Sequence, residues 1–433
     1  MTRRGVWDIQ DVRDKLLAGD PWERYNAAYT GGWNGTGQLG QGDIGGSATA
    51  LAEVLKVPTT AESRNWTSVR SIARNKFGIT SDGELFSWGY NVQGQLGQNQ
   101  GYPPWYGGYK SRSAPTQIPG TTWDSVAGGN GRYGWMATKT DGTLWYVGGN
   151  EQHQSGGWGP NTRHYSSPIQ VPGTDWAKNN GQAGQWKITN STQSQFAIKT
   201  TGVLHCCGRN DIGNLGLNTG GPTIIAYPMP GSTVGSDTTW QYIAAGGYDT
   251  YDSTWAIKTD GTLWAWGSND LVGALGLNDL NPKSSPTQVG TNTNWASVSG
   301  AQGHPWGNTV MAMKTDGTVW CWGYNNFGAS GTNQGPTSPF AYSSPRQTPG
   351  TWDMAVTVGN ASLLHKPDGT GWICGDVWAA GMTNPVGGQY MSSPVQLPSA
   401  ITWDKAYMDL MGGPNAGGSS MSSISPNLTP TQV

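Results

Sequence analysis

The residues whose types could do chemistry are few: four cysteines, five histidines and a recurring Asp-Gly pair. Adjacent Cys206 and Cys207 could form a redox couple or ligate a soft metal. Cys321 and Cys374 stand alone, no Cys-x2-Cys spacing occurs, and four scattered cysteines in a chain of 433 residues are not a disulfide framework. His153, His164, His205, His304 and His365 do not pair at metal-ligand spacing, although His153 and His164 share one long loop that could hold a ligand. The nucleophile elbow, the phosphate-cradling Gly-x4-Gly-Lys-Ser/Thr and the His-Glu-x2-His zinc motif are missing. No residue is assigned a catalytic, cofactor-binding or metal role, and the chain is read as a non-enzyme.

The Asp-Gly pair decides what the surrounding elements are. In "KTDGTLWAWGSN", Lys258 to Asn269, Asp260-Gly261 has the composition of a two-residue hairpin turn. "STWAIK" before it and "TLWAWG" after it alternate like strands. Alternation predicts Leu263 and Ala265 on one face, Trp264 and Trp266 on the other. Gly267 permits a tight turn or a close backbone approach, and Asn269 suits a turn because its amide can bond nearby backbone.

The stretch recurs. Its turn glycines are Gly83, Gly142, Gly202, Gly261, Gly317 and Gly369, at steps of 59, 60, 59, 56 and 52 residues. A Trp precedes each copy: Trp66, Trp123, Trp176, Trp240, Trp295 and Trp352, with a seventh at Trp403. A "GQLG"-type segment follows several copies, at Gly94–Gly97 and Gly213–Gly216, and also stands at Gly37–Gly40. "SPTQV"-type segments mark a further strand, and the chain ends on one, "TPTQV". A period of this size signals a propeller or solenoid. Ala28–Gly40 aligns with the second half of a repeat, and a first half begins at Trp403. Six whole repeats and one split repeat predict seven blades, the ring closed by a blade shared between the termini, which leaves no free sheet edge. In this alignment Cys207 and Cys374 fall where Trp88 and Trp266 stand, Cys206 and Cys321 where Ser87 and Ala265 stand, and His205 where Trp264 stands. Blade packing is the expected role of all five.

These motifs resemble the RCC1 (regulator of chromosome condensation) repeat family, through the "DGxLxxWGxNxxGQLG" core, the period and the split blade. The resemblance covers roughly Ala28 to the C-terminus. It implies an all-β, seven-bladed propeller of four-stranded blades over 28–433. Eukaryotic members include a guanine-nucleotide exchange factor that binds chromatin, a role that uses particular loops and a basic surface. No motif here carries that role over.

Composition narrows the function. The chain has 67 Gly, 26 Pro, 24 Trp and 17 Tyr, with a formal net charge of -2. So many aromatics need a buried home, and the charge argues against nucleic acid as a partner. No run of about 18 apolar residues implies membrane insertion. The first residues lack the apolar core of a secretory signal.

Residues 1–27 lie outside the repeats and form an arm. Ile9, Val12 and Leu16 predict the apolar face of a short helix, with Asp8 as its cap and Trp7 and Trp22 flanking it. This leader resembles those of tailed-bacteriophage tail and fibre proteins. Val6, Trp7, Ile9, Val12, Leu16 and Trp22 are therefore the candidate virion-attachment residues, with packing on the propeller as the alternative.

The non-repeating loops, rich in Tyr, Trp, Gly and Asn, are the candidate contact surface. Trp105, Tyr106, Tyr109, Trp158, His164 and Tyr165 are its residues; folding back over the blades is the alternative for the loop aromatics. The resulting expectation is a structural protein of a phage virion, made in the host cytoplasm and present in multiple copies. It would be a tail or tail-fibre module contacting other virion proteins and a host-surface glycan or protein, with no cofactor. Capsid decoration and a bacterial lectin-like or protein-interaction propeller are alternatives, and a guanine-nucleotide exchange factor comes last.

Overall fold

The computed structural model describes residues 26–32, 51–56, 65–72, 75–91, 94–100, 111–128, 134–149, 164–179, 184–191, 194–219, 224–225, 232–247, 251–269, 272–300, 308–334, 340–358, 360–376, 390–397, 409–411 and 420–426, with 37, 40 and 42. The predicted helix over Ile9–Leu16, and the arm with it, lies outside them.

The chain opens with β1 (Asn26–Gly32) and β2 (Leu51–Lys56). Six antiparallel blades follow, each from contiguous chain. Blade one is β3 (Trp66–Ile72), β4 (Asn75–Thr80), β5 (Leu85–Gly89) and β6 (Arg112–Ile118). Blade two is β7 (Trp123–Ala127), β8 (Gly134–Lys139), β9 (Leu144–Gly148) and β10 (Tyr165–Val171). Blade three is β11 (Ile188–Asn190), β12 (Ser194–Ile198), β13 (Leu204–Arg209) and β14 (Ile224–Ile225). Blade four is β15 (Trp240–Gly246), β16 (Ser253–Lys258), β17 (Leu263–Gly267) and β18 (Lys283–Gln288). Blade five is β19 (Trp295–Gly300), β20 (Thr309–Lys314), β21 (Val319–Tyr324) and β22 (Ala341–Thr348). Blade six is β23 (Met354–Val358), β24 (Ala361–His365), β25 (Gly371–Asp376) and β26 (Tyr390–Gln396). The last strands are β27 (Asp409–Met411) and β28 (Ser420–Pro426).

Where seven blades were expected, six are contiguous, because the remaining strands are divided between the chain ends. These form a further four-stranded sheet in the order β2-β1-β28-β27. Ala28 opposes Ile424 and Gly32 opposes Ser420. Backbones of β27 and β28 lie against β3, and β27 lies against β23 and β24. The terminal "TPTQV" lies outside the described residues, and β2 occupies the fourth-strand place that its homologues fill in other blades.

The turn differs from the two-residue form the composition suggested. Lys258 N bonds Thr262 O at 3.0 Å and Gly261 N bonds Lys258 O at 2.9 Å. This is a three-residue loop with a bulge, in which Gly261 takes φ +76° and Asp260 keeps an ordinary φ. A Cβ on Gly261 would sit 2.1 Å from Thr293 O. The asymmetric turn is kept because it presses this glycine against the link to the next blade, where Trp295 N bonds Gly261 O at 3.0 Å.

Alternation in β17 is as predicted. Leu263 and Ala265 pack with Trp295, Val298 and Val310 of blade five. Trp266 packs with Phe196, Leu204 and Cys206 of blade three, and Trp264 packs on the same cluster half-buried. Each blade thus buries both faces between its neighbours.

Blade three departs from the pattern. Trp176 reaches β12 only through an isolated bridge to Lys199, and the first strand resumes at Ile188. Residues Gly184 to Trp186 of this insertion reach other blades. Val298 N bonds Gly184 O at 3.0 Å, Ile243 N bonds Trp186 O at 2.9 Å, and the Arg70 guanidinium of blade one lies 4.0 Å from the Trp186 ring centre. The insertion ties blades one, three, four and five together across the middle of the molecule. Its signal in the sequence was the break in spacing between Trp176 and the strand.

Candidate interaction surface

The chemically suggestive residues are absorbed by the scaffold. All four cysteines are buried free thiols. Cys206 packs toward blade four and Cys207 toward blade two, so neighbours in sequence face opposite sides of β13. Burial pushes the Cys321 thiol up to about 12 and raises the Cys206 and Cys374 thiols well beyond the usual range. Such thiols stay protonated and unreactive. His205 is buried with its ring edge-on to Trp176, 5.5 Å between centres. Among the described residues, no group of three or more His, Cys, Asp or Glu could hold a metal ion.

The recurring aspartate closes the hairpin. Thr262 N and Oγ1 both donate to Asp260 Oδ1, at 2.9 and 2.6 Å, and Trp264 Nε1 donates to Thr262 Oγ1 at 2.8 Å. The relay repeats at Asp141-Thr143-Trp145, Asp316-Thr318-Trp320 and Asp368-Thr370-Trp372. Threonine hydrogen bonds hold the carboxyls of Asp141, Asp260, Asp316 and Asp368 below the usual range. A lysine caps each relay: Lys258 Nζ lies 4.0 Å from the Trp264 ring centre and 4.8 Å from that of Trp240. Lys139, Lys314 and Lys366 bridge their own tryptophan pairs alike.

The "GQLG"-type segments latch blade to blade. Leu275 N donates to Asn269 Oδ1 at 2.9 Å, which shapes the turn as the recurring asparagine suggested. Ala274 O then accepts Trp255 Nε1 at 3.0 Å and Trp322 Nε1 of blade five at 2.8 Å. Gly276 is required there, since a Cβ would meet Trp322 Nε1 at 2.9 Å. The terminal sheet uses the same device: Gly42 N bonds Ser113 O of blade one at 2.8 Å, as Asn278 N bonds Ser343 O at 2.7 Å.

Among the described residues the large exposed hydrophobics are Tyr251, Leu280, Phe340 and Tyr390, the last two standing where β22 and β26 begin. Phe340 is 55% exposed and Tyr390 37% exposed. Phe327 bridges inward, 4.8 Å from the Tyr390 ring and 5.9 Å from Tyr324. Burial raises both tyrosine phenols, and Asp376 adds to the effect at Tyr390.

Of the sequence candidates, Trp105, Tyr106, Tyr109 and Trp158 lie outside the described residues, as do Val6, Trp7, Ile9, Val12, Leu16 and Trp22. His164 is half-buried, and Tyr165 opens β10 with its ring 6.4 Å from Tyr146, folded onto its own blade. Phe327 was missed because it fills a variable position of the repeat core and Tyr390 because it precedes the recurring segment of its strand, whereas Phe340 lies in one of the non-repeating loops.

The architecture defines an all-β propeller of the RCC1 type. Residues 82–131 and 260–304 match the regulator of chromosome condensation (RCC1) repeat, and residues 307–329 match a second form of it. The chain is 26% identical over 312 residues to the ultraviolet-B receptor UVR8 of Arabidopsis thaliana, across 71% of this chain, and spans 62% of that relative's length. Two solved structures share the fold. Prp20p of Saccharomyces cerevisiae, studied for its binding to Gsp1p and histones, has a TM-score of 0.70 at 15% identity, over 94% of this chain and 93% of that one. Human WBSCR16 has a TM-score of 0.71 at 14% identity, over 93% of this chain and 99% of that one. Yeast RCC1 (Prp20) has also been solved bound to Kap60, with a TM-score of 0.67 at 15% identity, over 93% of this chain and 90% of that one.

Proposed function

We propose that the chain is a non-enzymatic protein-interaction propeller whose partner docks on the loop end of blades five and six. The observation that carries this is the aromatic pair there, Tyr390 exposed against Phe327, with Phe340 exposed at the start of β22. Large exposed aromatics are the residues from which protein-binding hot spots are built. Structurally similar Prp20p is described with protein partners, which makes protein binding a natural use of the scaffold. In this reading the sheet shared by the termini acts as the seventh blade and closes the ring.

The N-terminal leader points to a bacteriophage particle as the setting, with the arm as attachment and the propeller displayed in tail or fibre. Mass spectrometry of purified particles tests this. The protein is expected in intact particles, and deletion of residues 1–25 is expected to remove it from them while leaving a folded propeller. Its absence from particles overturns the setting. Crosslinking from Phe340 and Tyr390 identifies the docked protein, and a partner that crosslinks only elsewhere overturns the surface. An exchange assay with candidate GTPases tests the enzyme question; stimulated nucleotide release would overturn the non-enzymatic reading.

A further inference from the structure

In the gap between blades four and five, two side-chain hydrogen bonds made in other gaps are unmade. Before blade three, Trp176 Nε1 donates to Pro172 O at 3.2 Å, and before blade six Trp352 Nε1 donates to Pro349 O at 3.1 Å. The loop before Trp295 runs Gly290-Thr291-Asn292-Thr293-Asn294 and holds no proline. Trp295 Nε1 is buried there without an acceptor, as are Trp123 Nε1 and Trp240 Nε1 at their own gaps. A second pair is open at the same place. Ser167 Oγ donates to Asn99 Oδ1 at 3.1 Å and Ser393 Oγ to Asn333 Oδ1 at 2.9 Å, whereas no such bond joins Ser344 and Asn278, or Ser285 and Asn218. The backbone positions match, since Asn278 N bonds Ser343 O as Asn99 N bonds Ser166 O and Asn333 N bonds Ser392 O.

These groups share one cavity of about 360 Å³. Trp295 and Trp320 form aromatic wall, and Asn278, Gln288, Asn292 and Ser344 contribute amides and a hydroxyl. Among the described residues, no carboxylate or ammonium lines it. Lys314 Nζ lies 4.3 Å from the Trp320 ring centre and is itself buried, so its charge is not presented to the cavity as a lining group. A charged ligand would find no counter-ion here, and a wholly apolar one would leave the amides unpaired. A sugar ring answers both conditions: its C–H face suits an indole, and its hydroxyls both donate and accept.

We propose that this cavity binds a neutral hexopyranose. The proposal is independent of the protein-docking surface, because the cavity lies between the outer strands of blades four and five and shares no residue with that surface.

The test uses the full chain with glucose, galactose, N-acetylglucosamine and their β-linked disaccharides, read by calorimetry and saturation-transfer NMR. At least one is expected to bind with a millimolar dissociation constant or tighter. Trp320→Ala and Asn292→Ala are each expected to weaken binding about tenfold. Trp372→Ala, at the equivalent place in blade six, is expected to leave it unchanged. Circular dichroism checks folding, and Ser344→Ala with Asn292→Ala carries the test if Trp320→Ala does not fold. Failure of every sugar to bind, binding unaffected by the blade-five variants, or selective binding of a proline-containing peptide that mimics Pro172 each overturns the proposal.

Discussion

Asp260, whose type could do chemistry, is a turn cap. Asp141, Asp316 and Asp368 share its threonine bonds and its depressed pKa, which has a consequence in acid. Each contributes its full stabilisation above the ordinary carboxylate value of 3.8 and loses it as the pH falls through the lower native value. Replacing all four by Asn is expected to make the acid limb of the stability curve below that value shallower, measured by urea unfolding at stepped pH. Solvent exposure keeps each contribution small. Gly261→Ala is expected to act more strongly, since it adds both a positive φ of 76° and a 2.1 Å clash with Thr293 O. A loss of about 2–3 kcal/mol is expected in the same assay.

Elements are held by tryptophans that belong to one blade and bond the preceding repeat. Trp266 is fully buried and donates to Asn214 O of the preceding repeat at 3.0 Å. Trp266→Ala is expected to cost about 3–5 kcal/mol through the cavity it leaves, as a fall in the urea midpoint. Lys258→Met tests the clamp over Trp240 and Trp264. Loss of the cation–π contacts is expected to cost about 1 kcal/mol, largely retained in high salt because the ammonium is mostly buried, with a side-chain exposure of 12%. A salt-sensitive loss would assign the effect to the exposed partner Asp237 instead.

At the scale of the molecule, the first and last described strands meet in one sheet. Ala28 and Ile424 oppose each other in the terminal sheet. The double variant Ala28→Cys, Ile424→Cys is expected to crosslink on mild oxidation, with raised thermal stability, while Ala28→Cys, Ser420→Cys does not. Mass spectrometry of the digested protein reads the link, and the four native thiols are buried and do not compete. Absence of the Ala28–Ile424 link would overturn the register of β1 against β28.

The sequence by itself determined the repeat, the strand alternation, the packing role of Cys206, Cys207 and His205, and the division of one repeat between the termini. Local chemistry suffices for these, because each repeat states the same hydrophobic period and turn residues again. Only the tertiary structure decided how the turn is built, since Asp-Gly is compatible with two loop lengths and contact with Thr293 selects one. Tertiary structure alone also brought Gly184–Trp186 against blades four and five, paired Phe327 with Tyr390, and left Trp295 Nε1 beside a cavity. Each of these depends on residues far apart in the chain, and a repeat pattern says nothing about positions where the repeat is broken.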